Sequence, residues 1–139
     1  MKSIVLAMLA GLAVQGIAAP VKAADVACNP SGSQLELNAC ASESLEKADA
    51  ELNAVYRQIT ATLADQPVAL ARLKAAQRLW IQLRDADLEA RYPVGDDENP
   101  RFLYGSMYPM LYAQAKATLT TARAAYLRSQ FLERGEYDL

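Results

Sequence analysis

From Gln34 onward, apolar residues recur every three or four positions in three separate runs. That is the helical period, and one apolar stripe per run gives each helix a face that must be covered. The first stripe is Ala41, Leu45, Ala48, Leu52, Tyr56, Ile59 and Leu63. The second is Ala69, Leu73, Ala76, Trp80 and Leu83, and the third is Tyr108, Tyr112, Ala115, Leu119, Ala122 and Tyr126. No segment alternates with the period of two that marks a half-buried strand, and no internal repeat is visible. Amphipathic helices cannot bury their stripes singly. The expectation is therefore an all-α fold, a three-helix bundle with helices near 34–64, 67–92 and 106–134.

Local punctuation sets those limits. Asn29-Pro30-Ser31-Gly32-Ser33 is turn material ahead of the first helix. Asp65-Gln66-Pro67 divides the first helix from the second, since proline fits a first helical turn, where its missing N–H costs little. Pro93, Gly95 and Pro100 break the pattern between Tyr92 and Gly105, which reads as a loop. The third helix starts near Ser106, with Pro109 in its first turn, and Gly135 marks its end. Glu43/Lys47 and Asp87/Arg91 are spaced to support their helices as i, i+4 pairs.

The start of the chain bears on where the domain works. Met1-Lys2 is followed by an uncharged apolar run from Ile4 to Ile17 and then by small residues. This is the layout of a secretory signal peptide, 1–23, too short to read as a membrane span. It leaves one domain, 24–139. The removed segment holds Lys2, Lys22 and no acid, so the remaining 116 residues carry 12 basic against 16 acidic side chains, a net charge of −4. A mildly acidic domain lacks the basic face that nucleic-acid binding needs, and suits a basic partner.

Cys28 and Cys40 are the only cysteines and both lie in the exported part. An even pair in an oxidising compartment reads as a disulfide. Asp25-Val26-Ala27 does not form a lipobox ahead of Cys28, so a free periplasmic protein, with no membrane anchor after signal removal, is expected. There is no histidine, which removes the usual general base and the usual zinc ligand. Carboxylate pairs such as Asp85/Glu89 could in principle act on a glycosidic bond, but nothing in the sequence sets an acid pair in an apolar cleft. With no nucleophile-elbow serine, the reading is a protein that is not an enzyme and takes no cofactor or metal. Met107 and Met110 read as core or interface filler.

Four segments, in order and spacing, resemble the LprI-like lysozyme inhibitor family. They are Gln34-Leu35-Glu36-Leu37-Asn38-Ala39-Cys40-Ala41, Ala48-Asp49-Ala50-Glu51-Leu52-Asn53-Ala54-Val55-Tyr56, Ala75-Ala76-Gln77-Arg78-Leu79-Trp80-Ile81-Gln82-Leu83-Arg84-Asp85-Ala86 and Gly105-Ser106-Met107-Tyr108-Pro109-Met110. The resemblance implies a small exported helical domain whose attributed activity is inhibition of lysozyme. Family members often carry four cysteines; the third and fourth would fall at Leu88 and Ala115. Their joint absence fits a Cys28–Cys40 pair.

Each motif has a structural and a functional reading. Trp80 on its stripe reads as a core residue. Asn53 and Tyr56, following Asp49, read as a buried polar brace. Arg84-Asp85 reads as an ion pair or a bond to a loop carbonyl, with partner contact as the alternative. Asp96, Asp97 and Glu98 are either a solvated loop or, with Tyr92, Phe102 and Tyr104 beside them, a partner-binding loop. Common animal lysozymes are strongly basic, and an acidic, aromatic-flanked loop could be steered onto one and cover its cleft. The expectation is thus a periplasmic lysozyme inhibitor acting by non-covalent occlusion. The rival is an immunity-type or envelope protein that binds a different partner, such as another cell-wall hydrolase.

Overall fold

The computed structural model describes residues 26–133. The expected signal peptide, 1–23, and Gly135 lie outside the described residues. Four helices follow in order: α1 (Gln34–Thr62), α2 (Pro67–Arg91), α3 (Pro100–Tyr104) and α4 (Tyr108–Phe131), with a 3-10 turn (Gly105–Met107) leading into α4. Among the described residues there is no strand. The three long helices are those expected, ending two residues, one residue and about three residues earlier than read. The segment after Tyr92 is not wholly irregular, because Asn99 accepts the Arg101 N–H at 2.9 Å and Pro100 starts α3.

Ser33 and Glu36 set the start of α1. The Glu36 carboxylate accepts the Ser33 backbone N–H and the Ser33 hydroxyl, each at 2.7 Å, and the Asn29 amide at 3.3 Å. Those bonds, the Ser33 backbone bond first, hold the Glu36 carboxyl below the ordinary glutamate range. Immediately before this cap the chain is tied by the Cys28–Cys40 disulfide, Cα–Cα 4.4 Å. Reducing that bond should release residues 26–33 and cost about 3 kcal/mol for a loop of this length. Guanidinium unfolding of oxidised protein against a Cys28→Ser/Cys40→Ser variant measures it.

α1 and α4 run parallel. Gln34 meets Met110 near one end, with Nε2 3.7 Å from Sδ, and Arg128 pairs with Glu51 at 2.7 Å toward the other. Their seam is lined by small side chains: Ala41 and Ala48 from α1, and Ala117 and Ala124 from α4, all buried. Without long side chains between them the two backbones approach closely along most of their length. α2 runs antiparallel to this pair. Arg123 Nε donates to Gln77 Oε1 at 3.1 Å, and the Tyr92 hydroxyl donates to the Leu111 carbonyl at 3.2 Å. α2 stands further off and makes contact through longer side chains. The main apolar core sits where α1 and α4 end and α2 begins: Leu52, Val55, Ile59, Leu73, Ala124 and Leu127, with Tyr56, Leu63, Trp80 and Leu132 packed on it.

Two stripes are rotated from their expected phase. On α2, Leu83 is 60 % exposed and Ala76 is exposed. The line turned to the bundle is Leu73, Gln77, Trp80, Arg84 and Leu88, in which two polar residues replace hydrophobic ones. On α4, Ala122 and Tyr126 face solvent, and the buried line after Ala115 is Ala117, Thr120, Ala124 and Leu127. Alanines and a threonine carry little hydropathy, yet they fit the close seam best. Thr120 is 0 % exposed and its hydroxyl has no hydrogen-bond partner. Replacing it by isosteric valine removes an unsatisfied buried group, so Thr120→Val should stabilise the fold by about 1 kcal/mol. Thermal denaturation tests this, and a loss of stability would show that the hydroxyl is satisfied in solution.

Candidate functional site

The candidate site is built on the end of the bundle opposite the aliphatic core, where α2 ends and α4 begins. Here four half-buried tyrosines cluster. Tyr92 contacts Tyr104 edge-on with ring centroids 5.7 Å apart and Tyr108 at 6.1 Å. Tyr104 stacks on Tyr108 at 5.5 Å, and Tyr112 lies 5.7 Å from Tyr108. The cluster is locked by hydroxyl bonds to backbone. Tyr92 donates to Leu111, and Tyr104 donates to the Pro93 carbonyl at 2.9 Å. Burial, with the Asp85 carboxylate adding to it, pushes the Tyr112 phenol above its ordinary range. The α1 end joins in, since the Asn38 amide donates to the Ser106 carbonyl at 3.3 Å.

Between α2 and the loop this cluster floors a depression of about 500 Å³, lined by Glu89, Tyr92, Pro93, Val94, Asp96, Tyr108 and Tyr112. Two carboxylates, Glu89 and Asp96, and three tyrosine rings line it together. A lysine or arginine side chain entering there meets aromatic surface and negative charge together, a combination that favours a cation.

The six residues expected to meet a partner separate into two groups. Tyr92 and Tyr104 are half-buried and hold the loop in shape. Glu98 is exposed but occupied: its carboxylate accepts the Gly95 N–H at 2.8 Å, and its own N–H donates to the Gly95 carbonyl at 3.0 Å, closing a turn. Asp96, Asp97 and Phe102 stand free, Phe102 at 89 % exposure, with Leu103 and Met107 also exposed nearby. Glu89, Tyr108 and Tyr112 were not among the expected contacts. The helical spacing puts Tyr108 and Tyr112 on a core stripe, and no spacing signal links Glu89 to a loop seven residues on. Helix packing alone brings them together.

Gly105 joins α3 to α4 with φ +70° and ψ −166°, a region that essentially only glycine occupies, and open space surrounds it. Gly105→Ala should therefore cost about 1–3 kcal/mol from backbone strain alone. Its effect should centre on the loop, read as faster amide exchange in 93–107 than in α1.

The other motifs lie elsewhere. Arg84 pairs with its neighbour Asp85 at 2.8 Å, and Lys116 stands 3.9 Å from the same carboxylate. Trp80 is half-buried rather than interior, with Arg84 and Arg123 over its ring at 5.1 and 5.6 Å. Burial draws the Arg123 pKa down from the ordinary arginine value. Asn53 is exposed, not a buried brace; it edges a shallow groove with Tyr56, Lys74 and Gln77. The spacing-derived pairs Glu43/Lys47 and Asp87/Arg91 form no ion pair; Arg91 lies over Tyr92 at 5.5 Å instead. Leu88 and Ala115, where further cysteines would fall, are both buried. Among the described residues no helix is long and apolar enough to cross a membrane, and no acidic or cysteine cluster is placed to hold a metal ion.

Comparison with known proteins places this chain in a family. An uncharacterized protein of Rhizobium meliloti (strain 1021) is 38 % identical over 112 residues, covering 73 % of this chain and 76 % of that protein. No solved structure matches the chain. The family model described as lysozyme inhibitor LprI matches residues 25–127. The chain belongs to the LprI lysozyme inhibitor family.

Proposed function

We propose that this protein, exported to the periplasm as the domain 24–139 once the signal peptide is removed, inhibits lysozyme by non-covalent occlusion, using the loop between α2 and α4. Family membership supplies the activity class. The observation that carries the reading is the acid-rimmed tyrosine pocket beside the fully presented Phe102. A basic enzyme is drawn to Asp96, Asp97 and Glu89. One of its cationic side chains enters the pocket beside Glu89 and Asp96, and Phe102 with Leu103 supplies the apolar contact that slows release. No bond is made or broken, so the block is reversible and competitive with the cell-wall polysaccharide.

The test is direct binding and a muramidase assay with purified lysozymes of several types. Inhibition of at least one type that is competitive with substrate supports the reading. Binding without inhibition, or inhibition untouched by changes in the loop, removes the occlusion mechanism. Failure against every lysozyme, with capture of a different cell-wall hydrolase, moves the function to an immunity-type or envelope partner protein.

A further inference from the structure

α2 has a second apolar face. Val68, Leu79 and Leu83 are 73 %, 66 % and 60 % exposed, Ala86 and Ala90 are exposed, and Ala75 is half-buried. These residues form one line, roughly 120° around the helix from the Leu73–Trp80–Leu88 line that faces the bundle. Among the described residues no other element covers them. Their positions are symmetric about Leu79: Ala75 and Leu83 lie four residues either side, Val68 and Ala90 eleven either side. Reversing the helix about Leu79 therefore returns the line onto itself, with small residues opposite large ones.

We propose that this face pairs with the same face of a second copy, α2 against α2, antiparallel about a two-fold axis at Leu79. Leu79 then meets Leu79 of the other copy, Ala75 fits Leu83 and Val68 fits Ala90, which is the self-matching contact a two-fold dimer requires. Charge agrees with the antiparallel sense. The exposed charges of the first half of α2 are Arg72, Lys74 and Arg78, all basic, and those of the second half are Asp87, Glu89 and the terminal Arg91. The only charged residue within the line, Arg72, falls seven residues before Leu79, opposite Ala86 and next to Asp87 of the other copy. A parallel pair would instead set basic half against basic half. The line is about 33 Å long, and with its flanking rows it buries roughly 500 Å² per copy, the lower end of specific interfaces. The dimer is therefore weak and reversible. It also sets the two 92–107 loops at opposite ends, each free to take its own partner.

Sedimentation equilibrium on the disulfide-intact domain over the micromolar to millimolar range should show a monomer–dimer equilibrium. Leu79→Glu places two carboxylates at the axis and should weaken it by roughly a hundredfold or more, with helicity and melting temperature unchanged for so exposed a site. Under mild oxidation Leu79→Cys should cross-link with itself. Val68→Cys should not, but should cross-link when mixed with Ala90→Cys. A species that stays monomeric throughout, a dimer that survives Leu79→Glu, or self-cross-linking of Val68→Cys as fast as that of Leu79→Cys would each overturn the proposal. So would loss of enzyme binding by Leu79→Glu at concentrations where the parent is monomeric, since that assigns the face to the enzyme.

Discussion

Truncating Leu127 to alanine should lower the unfolding free energy by about 3–4 kcal/mol, the largest loss expected of any single side chain in this protein. Leu127 is 0 % exposed and lies in the core cluster with Leu52, Val55, Ile59 and Leu73, where all three long helices meet. The parallel α1–α4 pair is close and rigid there, so the structure cannot collapse into the space left behind. Against a total stability of about 5–15 kcal/mol, such a loss lowers the melting temperature by on the order of 15 °C. Trp80→Ala should cost less, about 2 kcal/mol. The indole is only half-buried, and what it gives up is packing on the core edge and two cation–π contacts with Arg84 and Arg123. If chemical denaturation ranked Trp80→Ala above Leu127→Ala, the core would be centred on α2 rather than on the α1–α4 seam.

The second large effect is on binding. On the proposed reading, Phe102→Ala should raise the Kd for lysozyme by roughly thirtyfold, about 2 kcal/mol for a central aromatic contact, with most of the change in dissociation. Phe102 contributes almost nothing to the fold, being 89 % exposed, so the variant's melting temperature should match the parent's. Asp96→Asn with Asp97→Asn should act on the other rate. Association should slow severalfold at low salt, and the deficit should shrink as ionic strength rises. Glu98 and Tyr104 belong in neither variant. Glu98 closes the Gly95 turn and Tyr104 holds Pro93, so their loss would disturb the loop before it disturbed a contact. Stopped-flow or surface-resonance kinetics separate the two rates. Unchanged kinetics in both variants would place the contact elsewhere.

Much of this architecture is legible in the residues. The three-four spacing predicts helices on 34–64, 67–92 and 106–134, and α1, α2 and α4 occupy those spans. Pro67 and Pro109 sit in first helical turns because an N–H missing there leaves no gap in the hydrogen-bond ladder. The Cys28–Cys40 pair is present because only two cysteines exist and both lie within reach of the first helix. On α1 the expected positions Ala41, Ala48, Leu52 and Ile59 are all buried, since that helix is covered on the side its hydropathy indicates.

Phase and pairing were decided only in three dimensions. Gln77 and Arg84 lie on the bundle-facing line of α2 because the Gln77 side-chain carbonyl accepts the Arg123 Nε–H, and because Trp80 offers Arg84 a ring to lie on. Hydropathy cannot register such matches, so it points Leu83 inward although the side chain faces out. On α4, Ala117 and Ala124 are buried for their size, which lets α1 approach, while the larger Tyr126 is turned away. The candidate site shows the same division. Its acidic and aromatic composition is written in residues 92–104, a local property of the chain. Which acids remain free, and that Glu89, Tyr108 and Tyr112 complete the pocket, depends on α2 and α4 running antiparallel, and that juxtaposition exists only once the chain has packed.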